Sequence, residues 1–339
     1  MLTSDFDYHL PLERIAQTPI EPRHDSRLLV LDRKSGETRE DVFNKIGRYL
    51  HPSDLLVINQ TRVIPARLIA RKQTGGRVEL LLLKQREAGV WEALVGGKGL
   101  RSGVRVTVEN GPEVEIIEEL EGSERVVRFL QPVEDRLPSI GEMPLPPYIH
   151  EKLHDPERYQ TVYARVTGSA AAPTAGLHFT PWLIEQLEAQ GIRFARVTLH
   201  VGLDTFAPVN EDRPEEHRIH TEWCELTAET AELINQTKAE GRRVIAVGTT
   251  SVRTLESAAA ASEVEGRVAP ISGQTGLFIL PGFHFKITDA IITNFHLPRS
   301  TLLMLVSAFA GRENILAAYQ AAIEREFRFY SFGDAMLII

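Results

Sequence analysis

The chain has 339 residues, 43% hydrophobic and 25% charged, a balance that suits one large globular domain or two ordinary ones. Its net charge of −8 argues, taken in bulk, against a nucleic-acid partner. The single cysteine, Cys224, excludes an internal disulfide and suits a reducing cytosol, and no apolar run is long enough to span a bilayer. The opening "MLTSDFDYHLPLERIAQ" lacks a basic region followed by an apolar one, so no signal peptide and no membrane partner are expected, and a cytoplasmic location is.

In chain order, "DLLVINQ" (54–60) is almost continuously apolar and reads as a buried strand. From Arg62 to Gln131 come short segments of β-formers separated by glycine-containing turns, the pattern of a small all-β barrel. Charge is uneven there: residues 62–105 carry ten basic side chains against three acidic ones, a patch able to attract a phosphate backbone or simply a solvated face. "LPSIGEMPLPPYIH", with four prolines in fourteen residues, reads as a boundary. The expected division is therefore an α/β domain of residues 1–61 and 150–339 and an inserted β-barrel domain of residues 62–149.

Past Tyr159 the texture changes. "SAAAPTAGLHFT" (169–180) is too rich in small residues and breakers for a core helix and too apolar for a disordered linker. It reads as an ordered loop that something approaches closely, with His178 at the mouth of a helix. That helix, "TPWLIEQLEAQG", has Thr180 as N-cap, Pro181 at its first position and Gly191 as its stop. "IRFARVTLHVG" alternates as a strand; "TAETAELINQTKAEG" is a helix capped by Thr227; "RRVIAVG" is a strand and "SVRTLESAAAA" a helix. "GLFIL" and "AIITNF" are expected strands, "STLLMLVSAFAG" and "ENILAAYQAAIEREF" helices, and "AMLII" a closing strand. Strand and helix alternate, as in βα units around a largely parallel sheet.

Ligands in such sheets sit beyond the carboxyl ends of strands. Four strands end in polar groups: "DLLVINQ" before Thr61, "TLHVG" before Asp204, "VIAVG" before "TTSVRTLES", and "AIITNF" before "HLPRST". In "GTTSVRTLES", Thr249, Ser251 and Arg253 at a helix start could bind a carboxylate or phosphate, or the stretch is an ordinary capping sequence with Thr250 or Ser251 as N-cap. There is no Walker loop and no helix-opening G-x-G-x-x-G, which argues against an ordinary methyltransferase. His200, His217, His220, Glu222 and His296 superficially resemble metal ligands, but H-E-x-x-H is absent and no metal is expected. Imidazoles beside a carboxylate suit proton transfer better.

"SAAAPTAGLHFT", "GTTSVRTLES", "TNFHLPRSTLLMLVSAF" and "FYSFGDAMLI", with "TRVIPARL", "GGRVELLLL", "DPERYQTVYA" and "HVGLDTF", resemble the S-adenosylmethionine:tRNA ribosyltransferase-isomerase family of queuosine biosynthesis over essentially the whole chain. The family's usual Asn-Asp-Thr is Asn59-Gln60-Thr61 here, and its usual glycine is Asp204. The resemblance implies a barrel-like α/β core with an inserted small all-β barrel. It implies S-adenosylmethionine as a consumed co-substrate, tRNA carrying the queuosine precursor base as partner, and no separate cofactor or metal. Set against that chemistry, His178, His220 and Glu222 are the candidate bases. Thr249, Ser251 and Arg253 would take the methionine carboxylate, with Phe179 and His296 also about S-adenosylmethionine. Arg62, Arg67, Lys98 and Arg101 would hold tRNA phosphates. An α/β phospho-sugar enzyme and a non-catalytic RNA-binding module are the competing readings.

Overall fold

Two strands near the N-terminus, β1 (Arg27–Leu31) and β2 (Thr38–Val42), pair antiparallel and lead into a 3-10 helix at Phe43–Tyr49 and then β3 (Leu55–Asn59). The computed structural model describes residues 1–202 and 208–339. They divide into two units, one of residues 1–61, 147–166 and 172–339, the other of residues 62–146 and 167–171. The chain re-enters the first unit at Pro147, and a short second visit at 167–171 belongs with the barrel unit.

The second unit begins in β4 (Thr61–Val63), followed by β5 (Arg67–Lys72), β6 (Arg77–Glu87), β7 (Val90–Gly96), β8 (Arg105–Val108), β9 (Glu113–Glu119) and β10 (Glu124–Phe129), then a single turn α1 (Leu137–Ile140). Strands β5 to β10 close as an antiparallel barrel in the order β10-β7-β6-β5-β8-β9. Alternation drives this: Leu68, Ala70, Val78, Leu80, Leu82, Val106, Val108, Val114 and Ile116 are buried in the barrel core, while the residues between them are half-buried or exposed. The expected inserted barrel is present, and closure leaves it without an open sheet edge.

After β11 (Val166–Ser169), the chain builds the rest of the first unit: α2 (Pro181–Ala189), β12 (Arg193–Leu199), β13 (Glu222–Leu226), α3 (Ala228–Ala239), β14 (Val244–Val247), α4 (Thr249–Ala260), β15 (Ile271–Thr275), β16 (Ala290–Asn294), α5 (Thr301–Ala310), α6 (Arg312–Glu324) and β17 (Ala335–Ile338). Its strands form one nine-stranded mixed sheet, β15-β13-β12-β3-β14-β16-β17-β1-β2, so the barrel-like α/β core takes the form of a broad sheet with β15 and β2 at its margins. The central four, β12, β3, β14 and β16, run parallel. Both faces are covered, which is why β3, β14 and β16 are buried at every position. Leu55 and Val57 join one core with α3 to α6; Leu56 and Ile58 face the other, with Phe43, Ile46, Leu183 and Leu187. Thr180 caps α2 and Thr227 caps α3 as their sequences require.

One strand assignment differs. "GLFIL" (276–280) is irregular, and β15 is instead the polar "ISGQT" just before it, hydrogen-bonded to β13. An edge strand needs backbone pairing more than apolar side chains, and Leu277, Phe278 and Leu280 supply their burial to the core without a ladder. Among the described residues no single helix is long and apolar enough to cross a membrane.

Candidate active site

The four parallel strands end side by side, and the residues just past them line one hollow: Val201 after β12, Gly248 to Thr250 after β14, and Thr293 to Leu297 at the end of β16, with Ala172 to Ala175, Tyr148, Leu302, Tyr330 and Ser331 completing the wall. Asn59, at the end of β3, binds these ends together from below. Its Nδ2 donates to the Leu199 carbonyl (2.9 Å) and to Thr250 Oγ1 (3.2 Å), and its Oδ1 accepts from the N–H of Thr61 and of Leu199 (3.1 Å each).

Helix α4 begins at the hollow. Gly248, at φ +87°, makes the turn from β14 that a side chain would strain, and no side chain caps the helix. The N–H groups of its first turn are therefore left for a ligand, with the positive end of the helix dipole behind them. Thr249 and Thr250 line the hollow. Ser251 does not; its hydroxyl turns back onto the Val247 carbonyl at 2.8 Å.

The end of β16 supplies the other wall. His296 Nε2 lies 2.9 Å from Thr293 Oγ1. Its main chain is pinned as well, the N–H donating to Tyr319 Oη (2.9 Å) and the carbonyl accepting from Tyr8 (2.5 Å). Burial lowers this imidazole to about 3, so it is neutral at pH 7. Tyr330 stands in the left-handed region (φ +69°), a conformation costly for a bulky residue, and its ring packs against Tyr148 at 4.7 Å between centroids. The hollow thus carries hydrogen-bond donors on one side, an imidazole on another and aromatic faces between. Among the described residues no group of His, Cys, Asp or Glu is gathered as for a metal ion.

The chain matches the model of the family described as a queuosine biosynthesis protein over residues 3–338. It belongs to the queuosine biosynthesis protein family. Two bacterial relatives bear the name S-adenosylmethionine:tRNA ribosyltransferase-isomerase. The one from Carboxydothermus hydrogenoformans is 57% identical and the one from Caldanaerobacter subterraneus subsp. tengcongensis 53% identical, each over the full length of both chains. A crystal structure of S-adenosylmethionine tRNA ribosyltransferase from Thermotoga maritima is 42% identical, covers 99% of this chain and 100% of its own, and superposes with a TM-score of 0.58.

For this member of the queuosine biosynthesis family, the structure gathers some of the residues expected from sequence and separates others. Thr249 and His296 line the hollow. His178 does not: it is fully buried behind Asn294, with Ser26 Oγ 2.7 Å from Nδ1 and Asn294 Nδ2 3.1 Å from Nε2. Burial, and then the Arg23 and Arg328 charges, push it well below the usual histidine range. As the candidate base it is enclosed: the imidazole is fully buried, with Phe43 against its ring at 5.0 Å. The close approach that Gly176 permits is likewise internal, since a Cβ there would strike the Tyr163 hydroxyl.

Phe179 packs into the core between Phe43 and Phe194, away from the hollow. The aromatic rings that do line it, Tyr148, Phe295 and Tyr330, went unselected in the sequence. Arg253 and Glu222 were assigned separate roles, yet they form a buried ion pair with each other. Arg253 Nε also donates to the Leu277 carbonyl (3.0 Å), and Glu222 Oε1 accepts from the Gly202 N–H (2.9 Å). His220 is exposed and outside the lining set. Gln60 is tied by backbone bonds to Val197, Arg165 and Val166, and its amide reaches Thr198 Oγ1 at 3.3 Å. Asp204 lies outside the described residues.

In the barrel unit, Lys98 and Arg101 are exposed on the loop between β7 and β8, whereas Arg67 pairs with Glu79 at 2.8 Å. Arg62 is half-buried. Thr174, Thr293, Asn294 and Ser331 are polar lining residues the sequence reading did not select, and Thr250 lines the hollow too. A signal was present for Thr250, Thr293 and Asn294, which stand at the carboxyl ends of the largely apolar parallel strands β14 and β16.

Two neutral buried imidazoles make stability depend on acid. His296 and His178 take up a proton readily once unfolded, near the ordinary value of 6.5, and resist it when folded. The unfolded state therefore binds more protons as pH falls below 6.5, and the folded state loses ground. For His296 the loss continues to about pH 3. Denaturant titrations from pH 6 to pH 4 should show unfolding free energy falling by about 1.4 kcal/mol per pH unit through His296, with His178 adding to the fall in the same direction. The His296→Leu protein should show a shallower slope.

Proposed function

We propose that this chain transfers and isomerises the ribosyl part of S-adenosylmethionine onto the aminomethyl group of 7-aminomethyl-7-deazaguanine at the wobble position of tRNA, forming epoxyqueuosine and releasing adenine and methionine. The observation that carries this reading is end-to-end identity of 57% and 53% with two chains bearing that enzyme's name. Those relatives are named neither as phospho-sugar enzymes nor as non-catalytic RNA-binding modules. No separate cofactor or metal takes part in this proposal, and the setting is the cytoplasm, where tRNA and a reduced Cys224 both belong.

S-adenosylmethionine occupies the hollow. Its carboxylate meets the first-turn N–H groups of α4 and the Thr249 hydroxyl. Its sulfonium lies against the Tyr148 and Tyr330 rings, which attract a cation through their faces. The positive sulfur acidifies the adjoining carbon, and His296 is the imidazole placed to remove that proton. Being neutral, it keeps a free lone pair, although the burial that holds it neutral also weakens it as a base; its orientation is fixed by Thr293 and by the two main-chain bonds to Tyr319 and Tyr8. His178, His220 and Glu222 are less suited: the first is enclosed, the second exposed, the third neutralised by Arg253. The wobble base, in a single-stranded loop, is turned out and stacked at modest cost. Lys98 and Arg101, with Arg62 and Arg67, meet the flanking phosphates of the tRNA.

The test is direct. Protein, S-adenosylmethionine and tRNA bearing the precursor base should yield one free adenine for each heavier wobble nucleoside formed. Release of S-adenosylhomocysteine with a methylated nucleoside would overturn the reading.

A further inference from the structure

The hydrogen bonds around Asn294 orient its amide. One atom of that amide lies 3.2 Å from the Tyr330 carbonyl oxygen, which can only accept, so this atom is Nδ2. The same Nδ2 lies 3.1 Å from His178 Nε2. With Nδ2 held to the Tyr330 carbonyl, that ring nitrogen is the acceptor, and the proton of the neutral imidazole sits on Nδ1, where Ser26 Oγ receives it at 2.7 Å; Arg23 Nη2 also approaches Nδ1, at the longer 3.4 Å, a contact this tautomer leaves unused. Both Nδ2 hydrogens are thereby used inside the protein. The Asn294 oxygen takes a hydrogen bond from Thr174 Oγ1 at 3.0 Å and keeps its second lone pair. Since Asn294 lines the hollow, what it can offer a ligand is an acceptor.

We propose that His178 is a positioning residue that locks Asn294 with its carbonyl oxygen toward the hollow, where it receives the α-ammonium group of the methionine part of S-adenosylmethionine. The proposal rests on the reading of the hollow given above and deepens it. The neighbouring strand end explains the pairing of groups. Gly248 donates its N–H to the Ile292 carbonyl (2.7 Å), so the start of α4 stands beside the end of β16, about 4.8 Å away across the sheet. An α-amino acid carries its carboxylate and ammonium on one carbon. Donors at α4 and an acceptor at Asn294 match that pair in charge and in spacing. If Asn294 were free to flip, it would present an N–H to an ammonium and repel it.

The test compares His178→Asn with His178→Gln, each titrated calorimetrically with S-adenosylmethionine and with 5′-methylthioadenosine, which lacks the amino-acid part. Asparagine can replace only the Nδ1 side and its bond to Ser26. Glutamine reaches to the Nε2 side and can still accept from Asn294. Expected is a loss of affinity of about tenfold or more for S-adenosylmethionine in His178→Asn, with 5′-methylthioadenosine bound within twofold of wild type and His178→Gln largely restored. Ser26→Ala, a small change remote from the hollow, removes the acceptor of Nδ1–H and should show the same selective loss; it serves if the His178 variants fold poorly. Equal losses for both ligands, or a glutamine variant as weak as the asparagine one at equal melting temperature, would overturn the proposal. A wild-type protein that binds no S-adenosylmethionine would sink the assignment of the hollow itself, and this inference with it.

Discussion

Glu222→Ala should lower the unfolding free energy by about 3–5 kcal/mol. Side-chain exposure is 7% for Arg253 and 5% for Glu222, so the guanidinium left behind would be a charge in a dry place. Its Nη2 already lacks a hydrogen-bond partner among the described residues, and Nε is committed to the Leu277 carbonyl, so little remains to satisfy it. Loss of the carboxylate also frees the Gly202 N–H at the end of the segment that follows β12. Urea denaturation at pH 7 measures the effect. The Glu222→Ala, Arg253→Met double variant should recover most of the loss, because a buried pair replaced on both sides leaves no orphan charge. A Glu222→Ala protein of wild-type stability that fails only in turnover would return Glu222 to the role of base.

His296→Leu should reduce adenine release by about 10²- to 10⁴-fold with little change in melting temperature. The imidazole is the one sequence-selected histidine that lines the hollow, and leucine fills a comparable space against the apolar wall. The reduction should fall on kcat rather than on KM for S-adenosylmethionine, since a base acts in the transition state. Loss confined to KM would assign His296 to binding instead.

How much of this site was legible follows from which residues depend on neighbours in the chain and which on neighbours in space. The convergence of strand ends was readable, because continuous apolar runs such as "LLVIN" and "VIAV" mark strands buried on both faces, and such strands place ligands at their carboxyl ends. The cap residues Thr180 and Thr227 were equally plain, since a cap bonds the N–H three positions on, to Leu183 and Thr230, and is set within four consecutive residues. β1, "RLLVL", carries the same apolar run and went unselected, whereas β2 and β13 gave no comparable signal: β2 is charged and half exposed, and β13 alternates.

The side chains divided differently. His178 stood next to a glycine, a phenylalanine and a helix start, all of which suggested an open mouth. Whether a histidine is open depends on what covers it, and Phe43, Ser26 and Asn294 come from elements 135, 152 and 116 positions away. Arg253 and Glu222, 31 positions apart, each looked suited to a ligand until α4 and β13 were laid together.

The amino-acid sequence by itself determined the class of fold, the inserted barrel, the family and the end of the sheet at which chemistry occurs. These follow from periodicity and from long motifs, which are properties of order along the chain. Tertiary structure alone decided which polar groups face the hollow and which are spent on one another. A hydrogen bond or an ion pair depends on distances of about 3 Å between atoms whose separation along the chain says nothing about their separation in space.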